Sequence, residues 1–255
     1  MNVTFLGTGT SQGVPIIGLD HPVCKSTDPR DKRLRVSVLL QWDSHNYVID
    51  CGPDFRQQML REHVQRLDGV LLTHEHSDHT AGLDDIRPYY FAQGDVRFYA
   101  SSRVFGALHQ RFPYFFESAE TKYPGVPTIS EVEIEKNKPF NLQGKNVLPF
   151  EVLHGDLPIL GFKIEGFTYI TDAKTVSERS IAKIKPTQTL VVNALREKPH
   201  HSHFNIEEAL ALVEKIKPER TYLTHISHLL GFHEEVQKKL PPNVFLAYDG
   251  LKIEI

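Results

Sequence analysis

Short runs of β-branched, aromatic and aliphatic residues, each bounded by Gly, Pro, Asn or Asp, dominate the chain and read as strands. In the first half they fall at residues 2–6, 36–42, 47–50, 69–73, 96–100 and 131–135. The second half adds 147–154, 160–165, 168–171, 189–193, 221–224, 243–247 and 252–255. Apolar residues recur at helical spacing over 55–63, 104–112, 176–184 and 206–216. The last is the best defined: Ile206, Ala209, Leu210, Val213 and Ile216 make one stripe, and Asn205 and Glu208 stand in the relation of a capping box.

Each half thus begins with paired strands and continues with strand–helix alternation. Two such halves stacked sheet on sheet make a four-layer αβ/βα sandwich, with helices on the outer faces and functional groups at the strand ends. No repeat, low-complexity tract or linker interrupts residues 1–255, so a single α/β domain is expected. The 255 residues are 40% hydrophobic and 24% charged, enough for a core without staples. A formal charge of −3 weighs against a general nucleic-acid binder, whose footprint is basic. No apolar run is long enough for a membrane span, and the first fifteen residues lack the pattern of a signal peptide. Two cysteines, Cys24 and Cys51, cannot build a disulfide framework, and the cytoplasm is the expected compartment. The outlying number is 14 histidines.

Four of the residues that can ligate a metal crowd into Thr73-His74-Glu75-His76-Ser77-Asp78-His79, directly after an apolar strand: His74, His76, Asp78 and His79. Burying imidazoles beside a carboxylate is costly unless something satisfies them, and a divalent cation does so. Alternate residues of a fraying strand share a face, so His74 and His76 can serve one ion while Asp78 and His79 serve a second. The zinc-protease pattern, with histidines four apart on a helix, does not apply. His154, Asp172 and His225 each end a predicted strand and complete a candidate set.

His74-x-His76-x-Asp78-His79 followed by His154, Asp172 and His225 resembles the metallo-β-lactamase-fold superfamily in its binuclear form. The resemblance implies one ion held by His74, His76 and His154, a second by Asp78, His79 and His225, and Asp172 between them. Asp50 stands where the fold often places a supporting acid. Gly7-Thr8-Gly9-Thr10-Ser11-Gln12-Gly13-Val14-Pro15, Thr224-His225-Ile226-Ser227-His228 and Tyr248-Asp249-Gly250 narrow the likeness to the PhnP branch of phosphodiesterases. That branch implies two divalent ions, zinc or manganese, and a small sugar- or nucleotide-phosphate diester, cyclic ones included.

Two cations about 3.5–4 Å apart can bridge a water, lower its pKa and stabilise both oxygens of a displacement at phosphorus. The departing oxygen needs help, and the resemblance assigns it to His203 in Pro199-His200-His201-Ser202-His203, with Asp78 counted as catalytic besides its place as a ligand. An imidazole that titrates near neutrality suits the role. The rivals are a tRNA-processing endonuclease, a thioester or lactone hydrolase, and a non-catalytic metal-binding protein. The endonuclease needs a protruding substrate arm, and residues 112–138 are too short and not basic enough to be one. The branch also carries a structural zinc near the first loop. Here the matching ligands are His21, Cys24 and His228, while Leu19 replaces one cysteine, and a water, Asp20 or His233 could complete the set. A homodimer is the expected assembly, since dimers are the commonest oligomers.

Overall fold

The computed structural model describes residues 1–117 and 120–255. β1 (Asn2–Gly7) is followed by a long loop holding the single turn α1 (Pro22–Lys25), then by the hairpin of β2 (Ser37–Trp42) and β3 (His45–Ile49). Helices and parallel strands then alternate: α2 (Phe55–Arg61), β4 (Gly69–Leu71), α3 (Ser77–Thr80), α4 (Arg87–Gln93), β5 (Val96–Ala100), α5 (Ser102–Arg111) and β6 (Ile129–Glu133). The second half repeats the plan. Antiparallel β7 (Phe140–Leu142), β8 (Lys145–His154), β9 (Leu157–Ile164) and β10 (Phe167–Ile170) precede α6 (Glu178–Ile184), β11 (Thr189–Asn193), α7 (Ile206–Ile216), β12 (Arg220–Thr224), α8 (His233–Gln237) and β13 (Val244–Leu246). Finally β14 (Lys252–Glu254) returns to pair with β1. The two sheets run β14-β1-β2-β3-β4-β5-β6 and β13-β12-β11-β10-β9-β8-β7.

Side-chain alternation along the strands builds the four layers. Phe5, Val38, Leu40, Ile49 and Leu71 of the first sheet meet Phe162, Ile164, Tyr169 and Val191 of the second in one buried cluster between the sheets. Their sequence neighbours Leu6, Leu39, Val48, Val70 and Leu72 point the other way, onto Phe55, Met59, Val104 and Leu108 of α2 and α5. Leu190, Val192 and Leu223 likewise face Ile181, Ile184, Ala209 and Leu212 of α6 and α7. A strand buried on both faces is apolar throughout, which is why these runs stand out in the sequence. The αβ/βα sandwich is therefore present as expected. Helix α7 has the expected bounds and its capping box, with Leu212 added to the buried stripe.

Not every element is foreseen. β7 spans three residues, too few for a period, and in α4 only Tyr89 is buried, so no apolar stripe marks it. Helices α1, α3 and α8 have four or five residues each and are set by the loops around them. Among the described residues no helix is long and apolar enough to cross a membrane.

A buried cation ties the first loop to the last. Arg33, 5% exposed, donates from Nη1 to Thr8 Oγ1 at 2.8 Å and to the Ala247 carbonyl at 2.7 Å, while Nη2 lies 3.2 Å from His233 Nδ1. Burial lowers the Arg33 guanidinium to about 10, and it stays charged at neutral pH. Burial first, then the charges of Arg33 and Arg30, push His233 down to about 4. The unfolded chain thus takes up this proton near its ordinary pKa, about 6.5, before the folded chain does. Stability is present in full above that value and is lost as pH falls from there toward 4. For metal-free protein, the stability difference between wild type and H233Q is expected to shrink by about 2 kcal/mol from pH 7 to pH 5 in urea titrations. A difference independent of pH would show that His233 does not titrate this way.

Candidate metal centre

The loop after β4 carries His74, His76, Asp78 and His79, and the three other expected ligands come to it from strand ends. His154 is the last residue of β8, Asp172 lies two residues beyond β10, and His225 directly follows β12. Asp50, Asp172 and His225 all have left-handed backbone, at φ 66°, 57° and 54°. That conformation is uncommon for residues other than glycine and collects at functional sites. Here it turns three chemically active side chains out of the strand direction at one end of the sandwich.

Close backbone approach fixes the loop. Cys51 N donates to the His79 carbonyl at 2.8 Å, and a Cβ on Gly52 would stand 2.0 Å from the Asp78 carbonyl oxygen, so only glycine fits. Asp50, fully buried, accepts from Thr73 N at 2.8 Å and Thr73 Oγ1 at 2.9 Å, and its Oδ2 lies 2.7 Å from His79 Nδ1. It orients the imidazole and leaves Nε2 turned inward, the usual work of a carboxylate behind a ligating histidine. The carbonyl of Ser202, which sequence reasoning passed over, does the same for His154 Nδ1 at 2.8 Å.

Donor atoms of the expected ligands converge in two groups, each within 4.8 Å: His74, His76 and His154, and Asp78, His79, Asp172 and His225. In the second group, His79 Nε2 lies 3.2 Å from Asp78 Oδ2 and 3.3 Å from Asp172 Oδ2, and His225 Nε2 lies 3.0 Å from Asp172 Oδ1. Yet neither buried nitrogen is aligned for a hydrogen bond with any of these oxygens. Unpaired imidazole nitrogens beside carboxylates that they do not address fit a divalent cation accepting from both. The electrostatics agree. Burial disfavours charge on His225, but Asp172 and Asp78 raise it to about 9, and the same acids with Asp50 hold His79 well above the ordinary range. Burial likewise opposes the Asp172 carboxylate, which His225 and His79 nevertheless keep well below its usual pKa. Burial and the neighbouring His79 drive His74 well below its usual pKa, leaving it a neutral donor. Buried acids that draw protons onto histidines form a site in which a cation can replace those protons.

His203 joins this centre. Its Nε2 donates to Asp172 Oδ1 at 3.0 Å, its ring stacks on His225 at 4.8 Å, and with His154 and Asp172 it makes a third convergent group. Its position is thus as close to the centre as the expected ligands themselves. Its protonation differs from the expectation: burial and the nearby His225 and His154, against the pull of Asp172, lower it to about 4. At neutral pH it offers an N–H rather than an imidazolium. Beside it, His76, His154, Gly155, Asp156, Leu157, Lys174, Thr175, His201 and Ser202 line an open cleft of about 740 Å³.

The expected structural site gathers only in part. The His21 and His228 rings lie 4.8 Å apart, and His228 Nδ1 is buried without a partner. Cys24 packs with Val14, Val23 and Phe232, and among the described residues no trio that includes it converges within 4.8 Å. Asp20 pairs with Lys25 on the surface, and His233 is committed to Arg33, so neither completes a tetrahedron.

The beta-lactamase superfamily domain matches residues 45–226, well over half of the chain and all seven expected ligands. The chain belongs to the metallo-β-lactamase-fold hydrolases. Within that family it lies near PhnP: a crystal structure of a new diphosphatase from the PhnP family superposes with a TM-score of 0.92 at 38% identity, covering 100% of this chain and 97% of that one. An octanoyltransferase of Porphyromonas gingivalis is 40% identical over 99% of this chain, but the match takes 51% of that protein. The chain therefore spans about half the length of that relative. A ribonuclease Z of Borrelia hermsii is 22% identical over 99% of this chain and 96% of its own length.

Proposed function

We propose that this hydrolase is a binuclear metal-dependent phosphodiesterase acting on a small sugar- or nucleotide-phosphate diester, cyclic ones included. The observation that carries the reading is the joining of two cation pockets through Asp172, with His203 hydrogen-bonded to the same carboxylate. His74, His76 and His154 would hold one zinc or manganese ion, Asp78, His79 and His225 the other, with Asp172 between. Such a pair supplies an activated water and positive charge to offset the negative charge gained at phosphorus. The chain's own residues do the rest. Asp50 and the Ser202 carbonyl fix the rings, and His203 presents an N–H for the departing oxygen. The cleft beside them suits a polar substrate: among the described residues that line it, Leu157 is the large apolar one, and Lys174, Thr175, Ser202 and Asp156 offer donors and acceptors.

The endonuclease reading finds less support. Of the described residues in the stretch where an RNA-binding arm would stand, Phe112, Tyr114, Phe115, Phe116 and Val126 pack on the core under α5. The test is elemental analysis of protein purified without chelator, together with a panel of bis-p-nitrophenyl phosphate, an alkyl cyclic phosphodiester, a diphosphate, a lactone and a thioester. Two ions per chain and turnover confined to the phosphorus esters are expected, and the diphosphate is included because the similar PhnP-family protein is a diphosphatase. At most one ion after zinc or manganese supplementation, or turnover of the thioester alone, would overturn the proposal.

A further inference from the structure

Helix α5 carries no expected ligand, yet both of its ends reach the residue between the first two ligands. Arg103 Nη1 lies 3.1 Å from Glu75 Oε1, and Arg111 Nη1 donates to the Glu75 carbonyl at 2.9 Å. Arg111 Nη1 also donates to Thr80 Oγ1 at 2.9 Å, and that hydroxyl donates in turn to the His76 carbonyl at 2.9 Å. The other arm of Arg103 crosses to the second sheet, where Nη2 donates to the Pro158 carbonyl at 2.6 Å. Pro158 pairs with Leu153, the residue before His154. One guanidinium therefore links the middle of His74-Glu75-His76 to the strand pair that brings the third ligand.

We infer that Arg103 and Arg111 are positioning residues that set the first cation pocket by holding Glu75. Holding the Glu75 side chain and carbonyl limits how the backbone on either side can turn, and with it the direction in which the His74 and His76 imidazoles point. The ion pair itself is only partly buried, with the Arg103 and Glu75 side chains 37% and 20% exposed, so its direct contribution to stability is modest. A planar fork suits the task, because its two arms address two acceptors in fixed directions, which an ammonium cannot do. The other Glu75 carboxylate oxygen is buried without a partner, so the residue is costly to keep unless its position matters.

This inference rests on reading His74, His76 and His154 as a cation pocket, and the test separates the two. Amide hydrogen exchange of the metal-free chain is followed over residues 74–80 in R103A, R111A and R103K. Zinc affinity is then measured by chelator competition. The expected result is about tenfold faster exchange confined to this loop, and binding of one of two ions weakened about 10–100-fold, the usual loss when a partner behind a ligand is removed. R103K should not restore either. Unchanged exchange and affinity in R103A and R111A, full rescue by R103K, or a uniform fall in protection across the chain would each overturn the clamp. If wild type binds no zinc while loop exchange still responds, the clamp stands and the metal reading fails.

Discussion

Replacing Asp172 by alanine is expected to lower phosphodiester turnover by about 10³–10⁴-fold, the size of a loss of several kcal/mol of charge stabilisation. The same change should reduce the metal content from two ions to one. Asp172 is buried, and among the described residues it is the carboxylate that converges both with Asp78, His79 and His225 and with His154 and His203. Thr171 Oγ1 donates to its Oδ2 at 2.5 Å, and His203 to its Oδ1 at 3.0 Å, so both oxygens are held in place. Without it, His79 and His225 lose the negative charge that faces them, and two neighbouring cations would repel each other unscreened. D172N separates charge from shape. It keeps the volume and a donor–acceptor partner for Thr171, so its thermal midpoint should stay near wild type while turnover falls almost as far as in D172A. Two ions and turnover within tenfold of wild type in both variants would show that Asp172 bridges nothing.

The candidate ligands were legible because chemistry limits which residue types can serve. Few residues can ligate a cation, and the placing of His74, His76, Asp78 and His79 within six positions leaves little else for them to do. The sandwich was legible for a similar reason, since strands buried on both faces must be apolar on both. What the sequence hid is how ligands are aimed. Left-handed backbone at Asp50, Asp172 and His225 is only faintly marked in the residue types, because aspartate and histidine tolerate it better than most side chains yet usually sit elsewhere. Gly52 is no exception. It follows Ile49-Asp50-Cys51 as a glycine follows many strands, and only the fold shows that the Asp78 carbonyl lies where its Cβ would be. Partners that act through the backbone, such as the Ser202 carbonyl behind His154, are invisible because every residue has a carbonyl. Arg103 and Arg111 lie in an ordinary amphipathic helix, and nothing short of the folded chain shows that both meet Glu75. The lowered pKa of His203 has no mark in the sequence, for one physical reason. Its ordinary pKa suits acid catalysis at neutral pH, but burial against His225 and His154 removes that charge.

That altered protonation shapes what His203 can contribute. A neutral ring that donates from Nε2 supplies a hydrogen bond to a developing oxyanion, as an N–H held in place rather than as a free acid. The benefit then scales with how much charge the departing oxygen carries. H203A is therefore expected to slow an alkyl phosphodiester about 10²-fold more than bis-p-nitrophenyl phosphate, whose leaving group needs little help, the lower end of what proton donors usually provide. H203Q keeps a side-chain N–H and should recover part of the loss on the alkyl ester. Around the ring, Ser202 Oγ and His200 Nδ1 both lie 3.1 Å from His203 Nδ1 and Asp172 Oδ1 lies 3.0 Å from Nε2, so the Nε2–H serves a departing oxygen by being shared with, or turned from, Asp172. The convergent group of His154, Asp172 and His203 offers a different outcome. If His203 ligates an ion instead, H203A should lose metal and slow both esters equally. Retained metal with the unequal loss identifies the leaving-group role, because a ligand's removal cannot tell one departing oxygen from the other.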